Sequence, residues 1–340
     1  MKFLPYYNCV PMLVSCALSA LLFVGCAQNS ESVQPEQSST GSSANARARK
    51  AAVATVDNMV SVTSICGYDY TAATESSLTA AGWTKTFEDN FNVSPNNPAN
   101  TNWNVWVGGS FNTELQMYTA SPTNLTVTQD PNNTANSLLQ IKAVKEQVTG
   151  PKYRQDVDNT LKNFDFTSAR IESKPMFTPV GPNGQVRMVA RIKLPSGYGM
   201  WPAFWSYGDY WPTNGEIDIL EARGNEPNKY QTNYVYGTQG DQNLVTNGGT
   251  FLTTSTSLTD CWHVYELIWT RKALTFMLDG KVIDTKTGGY VSNLAGKLEK
   301  LTLNQAVGGD FFYAPTASQI PLNAGEGIMQ VDWVRVYTKK

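Results

Sequence analysis

The sequence predicts an all-β sandwich, on three observations. From Gly82 onward, short alternating apolar and polar runs are broken by Gly, Pro, Asn and Asp at irregular spacing, the pattern of short strands joined by tight turns. There is no alternation of strand-like with helix-like segments, no Gly-rich phosphate loop and no internal repeat of fixed period, which argues against doubly wound and repeat folds. A chain of 340 residues with 41% hydrophobic content can build the core of one β-rich domain of about 260–280 residues once its N-terminal region is set aside.

In chain order, Lys2 precedes an apolar run from Met12 to Val24, too short to span a membrane and of the length of a signal h-region. The run ends at Phe23-Val24-Gly25-Cys26. This resembles a bacterial lipobox with Cys26 as the lipidated residue, although Phe23 stands where Leu is usual; ordinary signal cleavage near Gly25-Cys26 is the alternative. Residues 1–26 are thus read as a lipoprotein-type signal peptide and 27–55, rich in Ser, Gln and Ala, as a disordered tether. Residues 56–81 form an N-terminal extension whose order the sequence leaves open, and 82–340 form the sandwich domain. Anchor and tether imply an exported protein held at the cell envelope, in the outer membrane or at the cell surface, and touching the membrane only through lipid. Cys9 and Cys16 leave with the signal, so Cys66 and Cys261 remain as a pair in an oxidising compartment. Spacing leaves open whether they form a disulfide or two buried thiols.

Within the domain, Ser137–Ala143, Gln185–Ile192, His263–Trp269 and Leu274–Lys281 read as strands, the last with a hairpin turn at Asp279-Gly280. The single His263 builds neither a His-based metal centre nor a Ser-His-Asp triad without partners; it is expected to be packed and hydrogen-bonded. A net charge of −2 provides no basic field, so nucleic acid is excluded as a partner. Sixteen Tyr and nine Trp in a weakly charged chain suit a neutral polymer.

Gly215-Glu216-Ile217-Asp218-Ile219-Leu220-Glu221 packs three carboxylates into six residues. On a strand, Glu216 and Asp218 share one face while Ile217 and Ile219 enter the core. Strict alternation puts Glu221 on the wrong face. One β-bulge near Ile219-Leu220 restores it, and bulges of this kind occur next to active sites. A helix would scatter the three acids around its cylinder. Like charges on one face raise one another's pKa, so that one carboxylic acid stays protonated beside an ionised partner. Glycoside hydrolysis requires such a pair, and neighbouring positions on one bulged strand suit the shorter spacing of retaining enzymes, about 5–5.5 Å.

Gly199-Met200-Trp201-Pro202-Ala203-Phe204-Trp205 and Tyr210-Trp211-Pro212 place three Trp close before Glu216, and Trp faces bind the C–H faces of sugars. Trp211 and Trp205 are read as platforms, whereas Pro202 can bend the strand at Trp201. With these flanks the chain resembles glycoside hydrolase family 16, whose strands carry WPAFW and then GEIDILE. Further matches are Asn112-Thr113-Glu114-Leu115-Gln116-Met117-Tyr118, Thr167-Ser168-Ala169-Arg170-Ile171, His263-Val264-Tyr265 ahead of Trp269, Leu303-Asn304-Gln305-Ala306-Val307-Gly308-Gly309 and Val331-Asp332-Trp333-Val334-Arg335-Val336-Tyr337.

The resemblance implies a β-jelly roll of two stacked antiparallel sheets with a concave substrate cleft. It implies Glu216 as nucleophile, Glu221 as general acid/base and Asp218 as the group that tunes them, with no catalytic cofactor. It also implies substrate contacts from Trp201, Trp205, Trp211, Asn112, Glu114, Arg170 and Asn304, and a structural Ca²⁺ at Asp332. The extra Leu220 resembles the laminarinase and agarase branch. Gln231-Thr232-Asn233-Tyr234 departs from that branch, which usually carries a His there, and Asn233 could bond a sugar hydroxyl instead. The expected activity is endo-acting retaining hydrolysis of β-1,3-glucan by a monomer. Mixed-linkage glucan, xyloglucan or red-algal galactan, and transglycosylation, are the alternatives within this chemistry; a carbohydrate-binding sandwich without turnover is the alternative outside it.

Overall fold

Two large sheets enclose one apolar core in the computed structural model, which describes residues 59–239, 242–246 and 249–340. The expected signal peptide, Cys26 and the tether lie outside the described residues. One sheet orders its strands Val60–Val62, Thr250–Thr254, Lys229–Gln239, Glu216–Ala222, Met200–Tyr207, Glu299–Val307, Arg170–Phe177 and Trp103–Val105, with Gln242–Thr246 added on Lys229–Gln239. The other runs Lys281–Thr287, Ala273–Leu278, His263–Thr270, Gln185–Lys193, Ile328–Lys339, Asn133–Lys142 and Leu125–Asp130, with Thr84–Asp89 also paired to Ile328–Lys339. Within these two sheets the described pairs are antiparallel except at one edge, where Val60–Val62 runs parallel to Thr250–Thr254. The expected two-sheet sandwich is therefore present. A third, smaller sheet of Gln116–Tyr118, Leu161–Ser168 and Val144–Pro151 was not anticipated.

Alternation fills the core. Phe204, Ile217 and Leu303 of the first sheet meet Met188, Leu267 and Val334 of the second in one buried cluster. Trp269 is fully buried there, and truncating such an aromatic to Ala typically costs about 3–5 kcal/mol. The Asp279-Gly280 turn joins Ala273–Leu278 to Lys281–Thr287 with φ of 51° and 74°. Positive φ at both central residues matches the twist of the flanking strands. The Asp279 side chain also braces its surroundings, since its carboxylate meets buried His263 Nδ1 at 2.8 Å and accepts from the Val264 and Ile65 N–H groups. His263 is thus a packed, hydrogen-bonded residue, as expected.

The described part of the N-terminal extension begins at Met59. Cys66 and Cys261 form a disulfide, which settles the pairing that spacing left open. Helix Ala72–Ala80 was not legible, because AATESSLTA has no apolar stripe. Its ends explain it. Thr71 Oγ1 accepts from Thr74 N at 3.2 Å, and at the C-terminus Gly82 N bonds Thr79 O while Trp83 N bonds Leu78 O. Gly82 at φ 85° allows that reversal without a Cβ penalty. Leu78 and Trp83 then pack with Tyr70, Trp333 and Tyr337 on the outer face of the second sheet.

Asp332 does not offer the calcium site implied for it. Its Oδ2 lies 2.6 Å from Arg191 Nη1, and its Oδ1 accepts from Asn136 Nδ2 at 2.6 Å. Calcium needs six to eight oxygen ligands, whereas here a guanidinium already neutralises the carboxylate. Among the described residues no group of three or more His, Cys, Asp or Glu side chains is placed to hold a metal ion. The donor set at Asp332 does not fit the ion.

Candidate active site

Strand Glu216–Ala222 lies in the interior of the first sheet and is buried along its whole length. Its register carries the anticipated bulge. Asp218 faces Trp205 and Asn233 on its two neighbours, and Glu221 faces Ala203 and Gln231. Three steps along the acid strand therefore match two steps on each neighbour, and Glu216, Asp218 and Glu221 emerge on one face. Ile217, Ile219 and Leu220 all enter the core. The acids line a cavity of about 300 Å³ on the outer face of that sheet.

Glu216 and Glu221 are each held by an indole. Trp211 Nε1 donates to Glu216 Oε2 at 2.8 Å. Trp201 Nε1 donates to Glu221 Oε1 at 3.1 Å, while Gln231 Nε2 donates to Oε2 at 2.8 Å. Trp201 and Trp205, four residues apart on strand Met200–Tyr207, share the cleft face. Trp201 is only 4% exposed and stacks on Phe311 at 4.8 Å, so it positions Glu221 and offers no open platform. Trp205 keeps its partly exposed ring in the cleft, stacks on Tyr207 at 4.9 Å and bonds Asn304 Oδ1 at 2.7 Å. Trp211 is both cleft wall and partner of Glu216.

Asn112, Glu114, Arg170 and Asn304 line the same cavity. Gln116 Nε2 and Tyr118 OH donate to Glu114 at 2.7 and 3.2 Å, and Asn304 Nδ2 donates to Tyr118 OH at 3.1 Å. Arg170 pairs with Glu172 at 2.7 Å and lies over the Trp106 ring at 4.0 Å. Burial works to raise the Glu172 carboxyl, yet Arg170 and Lys300 hold it below its usual range. Asn233 is the exception: it does not line this cavity and lies buried opposite Asp218 on the next strand.

Several residues of the site were not anticipated. Tyr207 and Gln231 were findable, because each lies two positions from a chosen residue on the same strand. Trp106, Tyr153 and Lys300 come from distant segments and carried no local signal. Neither did Glu299, which begins strand Glu299–Val307, two strands from the acid strand, and has no exposed surface. Ser206 Oγ contacts its Oε2 at 2.6 Å, while Oε1 has no hydrogen-bond partner among the described residues. Burial pushes this carboxyl up to about 8, with the Ser206 hydroxyl lowering it and the Glu216 charge raising it.

Known proteins are similar to this chain in sequence and in fold. Glucan endo-1,3-beta-glucosidase A1 of Niallia circulans is 31% identical over 263 residues, covering 72% of this chain and 34% of that protein; the chain thus spans about a third of that relative's length. Glucan endo-1,3-beta-glucosidase of Cryptopygus antarcticus is 29% identical over 284 residues, covering 75% of this chain and 92% of that one. A solved LamA variant from Z. galactanivorans, in complex with laminaritriose and laminaritetraose, superposes with a TM-score of 0.58 at 28% identity and covers 75% of this chain and 98% of that one. The profile of glycosyl hydrolases family 16 matches residues 119–293. That match takes in more than half of the chain and contains the bulged acid strand, so the chain belongs to glycosyl hydrolases family 16.

Proposed function

We propose that this protein is an endo-acting retaining β-glucanase whose substrate is β-1,3-glucan. The observation that carries this reading is the bulge that returns Glu221 to the face of Glu216, each acid gripped by its own Trp in an aromatic cleft. Glu216 attacks the anomeric carbon and forms an ester, while Glu221 gives its proton to the departing sugar oxygen. Glu221, now a carboxylate, takes a proton from water; the water oxygen bonds the anomeric carbon and the Glu216 ester breaks. Asp218, between the two on the same face, tunes Glu216 electrostatically. The relatives named for 1,3-glucan support the choice of linkage.

The test is the purified protein incubated with laminarin, barley glucan, xyloglucan and agarose, with products resolved by length. A ladder of short oligomers from laminarin is expected, and its loss in Glu216→Gln with binding retained. Cleavage of another polymer alone would overturn the linkage, and near-normal turnover by Glu216→Gln would overturn the nucleophile.

We further propose that Cys26 is lipidated and that residues 27–55 tether the domain to the envelope. The Cys66–Cys261 disulfide supports export, since such bonds persist in oxidising compartments. Labelled fatty acid should enter the wild-type protein and not Cys26→Ala; equal labelling of both would remove the anchor.

A further inference from the structure

The segment 208–215 joins strand Met200–Tyr207 to strand Glu216–Ala222 and carries Trp211 to the Glu216 carboxylate. Its two ends are tied together, with Gly208 N donating to Gly215 O at 3.2 Å, and inside it Thr213 N and Gly215 N bond Tyr210 O and Pro212 O. Both ends lie against the start of strand Glu299–Val307. A Cβ at Gly208 would stand 2.8 Å from Leu298 O, and one at Gly215 would stand 2.9 Å from Glu299 Oε1. Glu299 Oε2 meets Ser206 Oγ at 2.6 Å, two residues ahead of Gly208. We propose that Glu299 is a positioning residue, whose neutral carboxyl seats this segment so that Trp211 reaches Glu216, and whose ionisation unseats it. The inference rests on the glycosidase reading above and adds to it a residue outside the cleft that controls Glu216.

The surroundings of Glu299 fit one charge state. As a neutral acid it shares one hydrogen bond with Ser206 and leaves a single uncharged oxygen unpaired among the described residues. As a carboxylate it would hold a full charge with one hydroxyl donor, and burying a charge without partners is far costlier than burying a neutral polar group. Gly215 offers no donor, because its N–H already bonds Pro212 O. Phe177 faces Glu299 on the neighbouring strand and Leu294 lies against Gly215; both are apolar and buried. Lys300, next in the chain, lines the cleft and pairs with Asp209 and Glu172. Glu216 is the charged group that acts on Glu299. Burial sets the carboxyl at about 8, with the Ser206 hydroxyl lowering it and the Glu216 charge raising it.

Once ionised, the group has to reach water. The segment is the outlet on this side, since its Asp209 and Tyr210 are exposed whereas Phe177 and Leu294 are not. Displacing it takes the Trp211 N–H away from Glu216. The arrangement is therefore intact below a pH of about 8 and is lost as pH rises through that value.

The test reads kcat/KM from about pH 6 to about pH 10 on an aryl glycoside with a good leaving group, which needs little acid assistance, so that ionisation of Glu221 leaves glycosylation largely untouched. Wild type should lose about ten- to a hundredfold through that range, the effect of one hydrogen bond to a charged group. The fall should level out near the rate of Trp211→Phe, which should itself show no such fall. Glu299→Gln, uncharged at every pH, should remove the fall. Ser206→Ala takes away the hydroxyl that lowers Glu299, so it should move the fall to higher pH, and it decides the matter if Glu299→Gln does not fold. Amide exchange at Gly208, Thr213 and Gly215, corrected for intrinsic rates, should quicken above a pH of about 8 in wild type and not in Glu299→Gln. A fall that persists unchanged in Glu299→Gln and Ser206→Ala, or in Trp211→Phe, would overturn the inference. So would a uniformly lower rate with the same pH profile, which marks a residue that only fills the core. If wild type cleaves neither laminarin nor the aryl glycoside, the glycosidase reading fails, and amide exchange alone decides whether Glu299 seats the segment.

Discussion

Glu299 keeps its proton at neutral pH because it is buried with only Ser206 as a hydrogen-bond partner among the described residues, and because Glu216 lies nearby. With a folded pKa of about 8 against an ordinary value of 4.5, the folded state holds a proton that the unfolded state has released. The resulting stability is fully present below pH 4.5 and is lost as pH rises to about 8, by ~1.4 kcal/mol per pH unit. Thermal melts of Glu299→Gln across that window should show a flatter pH dependence than wild type; parallel curves would mean that Glu299 is ionised in the fold. Trp211 tests a different bond. Trp211→Phe keeps the ring and removes the N–H that meets Glu216, and hydrogen bonds to charged groups contribute about 1.5–3 kcal/mol. We expect kcat to fall about ten- to a hundredfold with little change in Tm. A raised KM with unaltered kcat would leave Trp211 as a sugar platform alone.

At the scale of elements, the N-terminal extension is a clamp on the sandwich. Val60–Val62 extends the first sheet along Thr250–Thr254, Ile65 N and Gly67 N bond Asp279 and Trp262 O, and the disulfide closes a sequence separation of 195 residues. Removing a disulfide typically costs about 2–5 kcal/mol, so Cys66→Ser should lower Tm by several degrees while glucan hydrolysis at low temperature persists. An unchanged Tm would show that the hydrogen bonds hold the extension without the covalent link. The bulge in Glu216–Ala222 was legible because three acids on one strand require it. Helix Ala72–Ala80 was not, since its stability comes from caps and from two large side chains against Tyr70 and Trp333, not from periodicity.

For the whole molecule, the two faces of the sandwich carry different duties. Cations and acids of the face opposite the cleft pair with one another: Arg191 bonds Asp332 at 2.6 Å and Tyr68 O at 2.9 Å, and so ties strand Ile328–Lys339 to the extension. Chelation by EDTA followed by calcium add-back should leave Tm unchanged, whereas Arg191→Met should lower it by leaving the largely buried Asp332 without its counter-charge. A calcium-dependent rise in Tm would show that the ion displaces the guanidinium.

Alternation and the acid motif by themselves determined the sandwich class, the Asp279-Gly280 turn, the one-face set of Glu216, Asp218 and Glu221, and the bulge between them, because each follows from period-two geometry within a few residues. Only the tertiary structure decided which Trp is open to sugar. Trp201, Trp205 and Trp211 are chemically alike in the sequence, but Phe311 from far along the chain covers Trp201, whereas Trp205 and Trp211 keep a ring in the cleft. It also decided the Cys66–Cys261 bond, the pairing of Asp332 with Arg191 and the burial of Glu299 against Ser206. Each depends on residues tens to hundreds of positions apart meeting in space, and local pattern carries no record of such distances.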